Sequence, residues 1–196
     1  MTRRIVVGAI ALAVGLTPQI CSATSHLWRI TEIFSNDDGT VQFIELKESE
    51  GDDLEFHLHE FGMYIETLAH RWYFPANLDG PTGHRYMLIA TPAFAELPGT
   101  PSPDYTIDPD LVPFFFNPGL DSVTFRNDLN AFSFKVLTPQ LLPLDGENSL
   151  HYEVDGSGPT AGPMSPTNFA GETIGTGVST QGESFGRVKS RHGGER

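Results

Sequence analysis

Residues 27–47 constrain this chain more than any other stretch. Leu27 to Phe34 and Thr40 to Lys47 are two runs rich in β-branched and aromatic side chains, the kind that fit a pleated surface. Between them, Asp38-Gly39 is a strong hairpin signal, because Gly takes positive φ without a steric cost. With those two residues as the turn, Asp37 faces Thr40, and the numbers of paired residues sum to 77. That register sets Phe34 against Phe43, Ile33 against Ile44 and Glu32 against Glu45, so apolar meets apolar at the pairs nearest the turn.

The rest of the chain continues in the same idiom. Leu54 to His59, Gly62 to Leu68, Arg71 to Phe74, Arg85 to Ala90, Ser122 to Phe125, Phe132 to Leu137 and Ser149 to Val154 read as further strands separated by turn chemistry. Thr91 to Leu97 holds one helical turn, with Thr91 as its cap and Pro92 in its first position. Residues 98–119, with six prolines, read as a long ordered crossover between two sheets, pinned to the core by Phe114-Phe115-Phe116. The 20 Gly and 15 Pro fit a loop-rich β protein and exclude a helix bundle. The expected fold class is all-β, a sandwich of two sheets.

Residues 1–23 read as a secretory signal peptide: Arg3 and Arg4, an apolar stretch from Ile5 to Leu16, and Cys21-Ser22-Ala23 as a small-residue cleavage site. The run is too short, and too soon broken by Pro18, to span a bilayer, so the mature chain is expected to carry no transmembrane segment. Cys21 does not make a lipoprotein signal, because Pro18-Gln19-Ile20 lacks the small residues expected before a lipidated cysteine. The domain is assigned to residues 24–170. The tail, residues 171–196, runs from Gly and Ser into the basic Arg187 to Arg196 and is expected to be disordered. Without the signal, ten bases face 25 acids, a net charge of −15 that repels phosphate backbones and disfavours nucleic acid as a partner. The only cysteine leaves with the signal, so no disulfide staples the domain.

Four constellations invite chemistry. Glu32 and Glu45 face each other in the hairpin register, within the range used by glycosidase carboxylate pairs, and like charges so placed need a proton, a cation or donors to compensate. His57 and His59 would share one face of the expected strand, a spacing found in metal sites. Their surroundings fit neither a cupin, where Met63 and Tyr64 stand in place of a Glu, nor a zinc-protease helix, where Met63 replaces the second His. Gly182-Glu-Ser184-Phe-Gly186 matches a nucleophile elbow literally. It lacks the flanking strand and helix, and only His192, with no acid between, follows the Ser. Asn36-Asp37-Asp38 and Asp104, Asp108 and Asp110 offer oxygen ligands for calcium but follow no known calcium-loop spacing. These readings leave no catalytic, cofactor-binding or metal residue assigned.

The order of several segments resembles the lamin-tail domain. Ile30-Thr-Glu32-Ile33, Asn36 and Phe43-Ile44-Glu45-Leu46 are similar to its opening; Trp72-Tyr-Phe74 and Tyr86-Met-Leu-Ile-Ala90 to its middle strands; Asp121-Ser-Val-Thr-Phe125 to a later strand. Ser165-Pro-Thr-Asn168 is similar to its closing segment. The resemblance covers residues 27–169 and implies an immunoglobulin-like β-sandwich. It also implies a non-enzymatic binding or scaffold module, with the signal pointing to a secreted or periplasmic bacterial member. The partner is then a protein, a glycan or a matrix polymer, with no cofactor, and Trp72 and Tyr73 are where exposed aromatics would be sought. The rival class is an extracellular hydrolase of glycans or phosphodiesters using Glu32 and Glu45. A concave pocket with converging acids favours the rival; acids scattered over a convex sheet favour binding.

Overall fold

The computed structural model describes residues 26–137, 141–155 and 158–174. Ten strands fall into two sheets. They are β1 (Trp28–Ser35), β2 (Gln42–Glu48), β3 (Tyr64–Glu66), β4 (Arg71–Tyr73), β5 (Tyr86–Ala90), β6 (Tyr105–Thr106), β7 (Asp121–Arg126), β8 (Ala131–Leu137), β9 (Asn148–His151) and β10 (Thr160–Pro163). The larger sheet runs β10-β9-β1-β2-β5-β6 and the smaller β4-β3-β7-β8. Their facing sides close over one core. Ile30, Ile33, Ile44, Leu46, Met87, Ile89 and Leu150 of the first meet Ile65, Trp72, Val123, Phe125 and Leu137 of the second. This is an all-β sandwich, as the strand pattern predicts. Among the described residues, no helix is long and apolar enough to cross a membrane.

The hairpin register holds: Phe34 pairs with Phe43, Ile33 with Ile44 and Glu32 with Glu45. Its turn differs from the expected one. Asn36 donates its N–H to Val41 O at 3.0 Å and Gly39 to Asn36 O at 3.2 Å, so the loop has four residues rather than two, and only Gly39 takes positive φ. The side chains favour the longer loop: Asp38 Oδ1 accepts the Thr40 N–H, and Asn36 Oδ1 accepts that of Val41. Two extra residues shared equally by the two arms leave the register unchanged.

A bulge interrupts β1 between Ile30 and Glu32. It sends Trp28 and Ile30 to the core, and then Ile33 to the core while Glu32 and Phe34 turn outward; without it, Glu32 would share the inner face with Ile30. The outward face is not bare. Phe34, Phe43, Leu88 and Ala90 lie beneath Phe94 of a short helix, α1 (Pro92–Ala95), and beneath Met164, making a second small core. Two-sided cover explains the unbroken apolar run of β5. Pro92 opens α1 as expected, but Thr91 does not cap it with its side chain; Thr91 Oγ1 instead accepts the Gln42 N–H.

Three other expectations need correction. Leu54 to His59 is not a strand, because its polar groups close locally: Asp52 Oδ1 accepts the Leu54 N–H, Leu58 donates to Phe56 O, and Phe61 to His57 O. Thr160–Pro163, absent from the expected strands, pairs with β9 as an edge strand, where proline is tolerated. The final strand expectation, Ser149 to Val154, stops at His151. The crossover does run from the first sheet to the second, carrying β6 in parallel beside β5. Phe115 and Phe116 are buried, but Phe114 is 40% exposed and lies over the hairpin turn.

Candidate functional site

The outward face of the larger sheet carries one rung of polar side chains, His151 on β9, Glu32 on β1 and Glu45 on β2, with Leu88 of β5 beside them. The structure thus brings together the carboxyl pair that the hairpin register predicts. Each is nearly buried, at 2% and 4% exposure. They line a cleft of about 250 Å³ together with Thr31, Lys47, Tyr86 and His151.

Both carboxyl groups are held by hydroxyl and backbone donors. Glu32 Oε1 accepts from Ser149 Oγ at 2.5 Å and from the Ser165 N–H at 2.8 Å, while Oε2 accepts from Ser165 Oγ at 3.2 Å. Glu45 Oε2 accepts the Thr167 N–H at 2.8 Å, and its Oε1 accepts from the hydroxyl of Thr31, the residue at the bulge, at 2.6 Å. Burial, and then the charge of Glu32, push the Glu45 carboxyl up to about 8, against the opposing pull of Thr31, Thr167 and Lys47.

Ser149 and His151 add a set that the sequence reading missed, although Ser-x-His on one strand face was there to be seen. Ser149 Oγ lies 3.0 Å from His151 Nε2, and His151 Nδ1 lies 3.8 Å from Glu32 Oε2. The likeness to a nucleophile triad ends at the protons. His151 Nε2 faces the Pro163 carbonyl at 3.1 Å, which only accepts, so that nitrogen is a donor and no base. Ser149 is fully buried and gives its own proton to Glu32.

The same closing segment is gripped by a third carboxylate. Asp104 accepts the N–H of Phe169 and, through Oδ2, that of Leu88 at 2.7 Å; burial above all raises its carboxyl. Asn168 Nδ2 donates to Ser102 O, and Arg85 donates to Phe169 O while lying over its ring. Residues 165–169 are therefore strapped across the sheet by Glu32, Glu45 and Asp104.

The other constellations weighed in the sequence are placed as follows. His57 Nδ1 meets Glu60 at 2.6 Å and His59 Nδ1 meets the Phe74 carbonyl at 3.0 Å, in a segment that is turn rather than strand. Asp38 serves the hairpin loop, Asp108 caps the 3-10 turn at Pro109–Leu111, and Asp104 holds the strap. Among the described residues, no group of three or more His, Cys, Asp or Glu is placed to hold a metal. Of the two aromatics named above, Trp72 belongs to the core, whereas Tyr73 is 48% exposed on the outer side of the smaller sheet. Ser184 and His192 lie outside the described residues. No protein-family model matches this chain, and no curated protein matches it in sequence.

Proposed function

We propose that this chain is a secreted or periplasmic, non-enzymatic binding module of the lamin-tail type, with an immunoglobulin-like sandwich as its scaffold. One observation carries the reading: the segments that bear the resemblance hold one another. Glu32 of the opening motif accepts from Ser165 of the closing motif, and Glu45 accepts from Thr167. A carboxylate that spends its oxygens on the chain's own donors locks the fold. A glycosidase nucleophile must instead reach a sugar carbon, which a group at 2% exposure under Ser165 does not.

The hydrolase reading keeps one point in its favour, since Glu32 and Glu45 do converge in a concave cleft and Glu45 holds a proton near neutral pH. Assays with chromogenic glycans and a phosphodiester decide between the two. The binding reading expects no turnover; turnover abolished by both Glu32→Gln and Glu45→Gln overturns it. Export is tested by the mass of the chain recovered outside the cytoplasm, expected to lack residues 1–23.

A further inference from the structure

Strand alternation sends Val123 and Phe125 of β7 into the core and turns Ser122, Thr124 and Arg126 to the outer side of the smaller sheet. On β8, Leu137 is buried, whereas Phe134 and Val136 are 57% and 49% exposed; they are the register partners of Thr124 and Ser122. Leu68 and Ser122 both donate their N–H groups to Asp121 Oδ1, which sets Leu68 beside Ser122, with Leu120 adjoining. Those two leucines are 72% and 70% exposed. Ser122 and Thr124, both small, therefore sit among four exposed apolar side chains.

Of the eleven large apolar side chains that the described residues expose, six lie on this sheet or the segments adjoining its strands, Tyr73 and Leu129 completing the set, and none on a strand of the larger sheet. The larger sheet covers its own outer face, with Phe34, Phe43, Leu88 and Ala90 under Phe94 and Met164. The smaller sheet has no such layer among the described residues, and an apolar cluster left in water in this way marks a contact surface.

The charges on the face select the partner. Arg71 and Arg126 both pair with Glu66, at 2.7 and 2.9 Å, and Arg71 also lies 3.7 Å from Asp128, so two cations and two acids cancel. A chain of net charge −15 repels a copy of itself over most of its surface. That repulsion is least at a balanced, apolar face, where a strongly charged partner gains nothing over a second copy.

We propose that the outer face of the smaller sheet is the interface with a second copy of this chain, the two sheets packing face to face about a two-fold axis. A two-fold contact sets one patch against itself, so the apolar side chains of each copy lie against the low ground at Ser122 and Thr124 of the other. Four strands, the longest on this face being β8 with seven residues, make a surface of roughly 15 by 20 Å. That is smaller than the roughly 800 Å² a side of a standard interface, so the dimer is expected to be weak, with a dissociation constant in the micromolar range. The inference goes beyond the binding-module reading and does not rest on it. The clefts, on the outer faces of the larger sheets, stay on the outside of the pair.

Sedimentation equilibrium of the chain from about 1 μM to about 1 mM tests it. A monomer–dimer equilibrium is expected that stops at the dimer and is strengthened by added salt, which screens the repulsion between two acidic chains. Phe134→Thr and Val136→Thr keep β-branched residues on the strand and are each expected to weaken the dimer about tenfold or more, while melting like the parent where both are monomeric. Val154→Thr, at the cleft on the far side of the sandwich, is expected to leave it unchanged. A monomer over the whole range overturns the inference, whether residues 175–196 or another protein covers the face. A dimer indifferent to both β8 substitutions, one weakened equally by Val154→Thr, one dissolved by salt, or growth beyond the dimer overturns it as well.

Discussion

Thr167 donates its backbone N–H to Glu45 Oε2 at 2.8 Å, so a carboxyl on the second strand holds a segment 122 residues further along the chain. Because Glu45 sits raised to about 8 in the folded chain against 4.5 ordinarily, the folded state binds the extra proton between those values. Its contribution is complete below pH 4.5 and is lost as pH rises through about 8. Glu45→Gln mimics the protonated acid and removes that dependence. Thermal melts from pH 5 to pH 9 are expected to show the variant gaining on the parent as pH rises, by at most about 1.4 kcal/mol per pH unit. Parallel profiles would show that Glu45 does not titrate between those limits.

Glu48 behaves in the opposite sense. Burial pushes its carboxyl up, but the N–H groups of His84, Glu50, Gly51 and Asp52 together outweigh burial and hold it below the ordinary 4.5. Its stabilisation is therefore present above pH 4.5 and is lost as pH falls through its lower folded value. Glu48→Gln places an amide NH₂ among the donors from Glu50, Gly51 and His84, at 2.7–2.9 Å. It is expected to cost about 2–3 kcal/mol at pH 7, with the gap to the parent closing in acid. Urea titrations at the two pH values measure this.

Gly39 is required by contact as well as by its φ of +66°. A β-carbon there would fall 2.2 Å from the Phe114 ring, and Phe114 itself donates its N–H to Gly39 O at 3.0 Å. Gly39→Ala is expected to destabilise the chain by about 2–4 kcal/mol, the sum of left-handed strain and the clash. In Gly39→Ala/Phe114→Ala the clash disappears and about 1 kcal/mol of strain remains, an interaction that a double-mutant cycle reads directly.

The hairpin and the carboxyl pair were legible because strand side chains alternate strictly and the Asp-Gly turn anchors the count, so a register follows from residue numbers alone. Even the wrong turn length preserved it, since Asp37 and Thr40 were added symmetrically. The strap was not legible. Its donors are backbone N–H groups of Ser165, Thr167 and Phe169, which every sequence carries and which acquire meaning only when the chain returns to the sheet. Leu54 to His59 misled for a related reason: alternation is a local signal, and the local bonds from Asp52 and His57 that break the strand are invisible to it. The bulge left a trace, since the apolar parity of Trp28 and Ile30 passes to Ile33 across Thr31-Glu32.

That bulge residue supplies the last test. Thr31 Oγ1, 2.6 Å from Glu45 Oε1, is the side-chain contact that most lowers the Glu45 carboxyl against burial. Thr31→Val keeps the shape and the β-branch but removes the hydroxyl that donates to Glu45 Oε1. The anion loses a charge-assisted hydrogen bond, the stronger kind. The Glu45 midpoint is therefore expected to move above about 8, with about 1 kcal/mol of stability lost at neutral pH. Carboxyl carbon shifts of ¹³C-Glu protein followed through a pH titration report the midpoint, and Thr31→Ser is expected to restore it. A midpoint unmoved by Thr31→Val would mean that the bulge does not tune the pair, leaving burial and the Glu32 charge to set it alone.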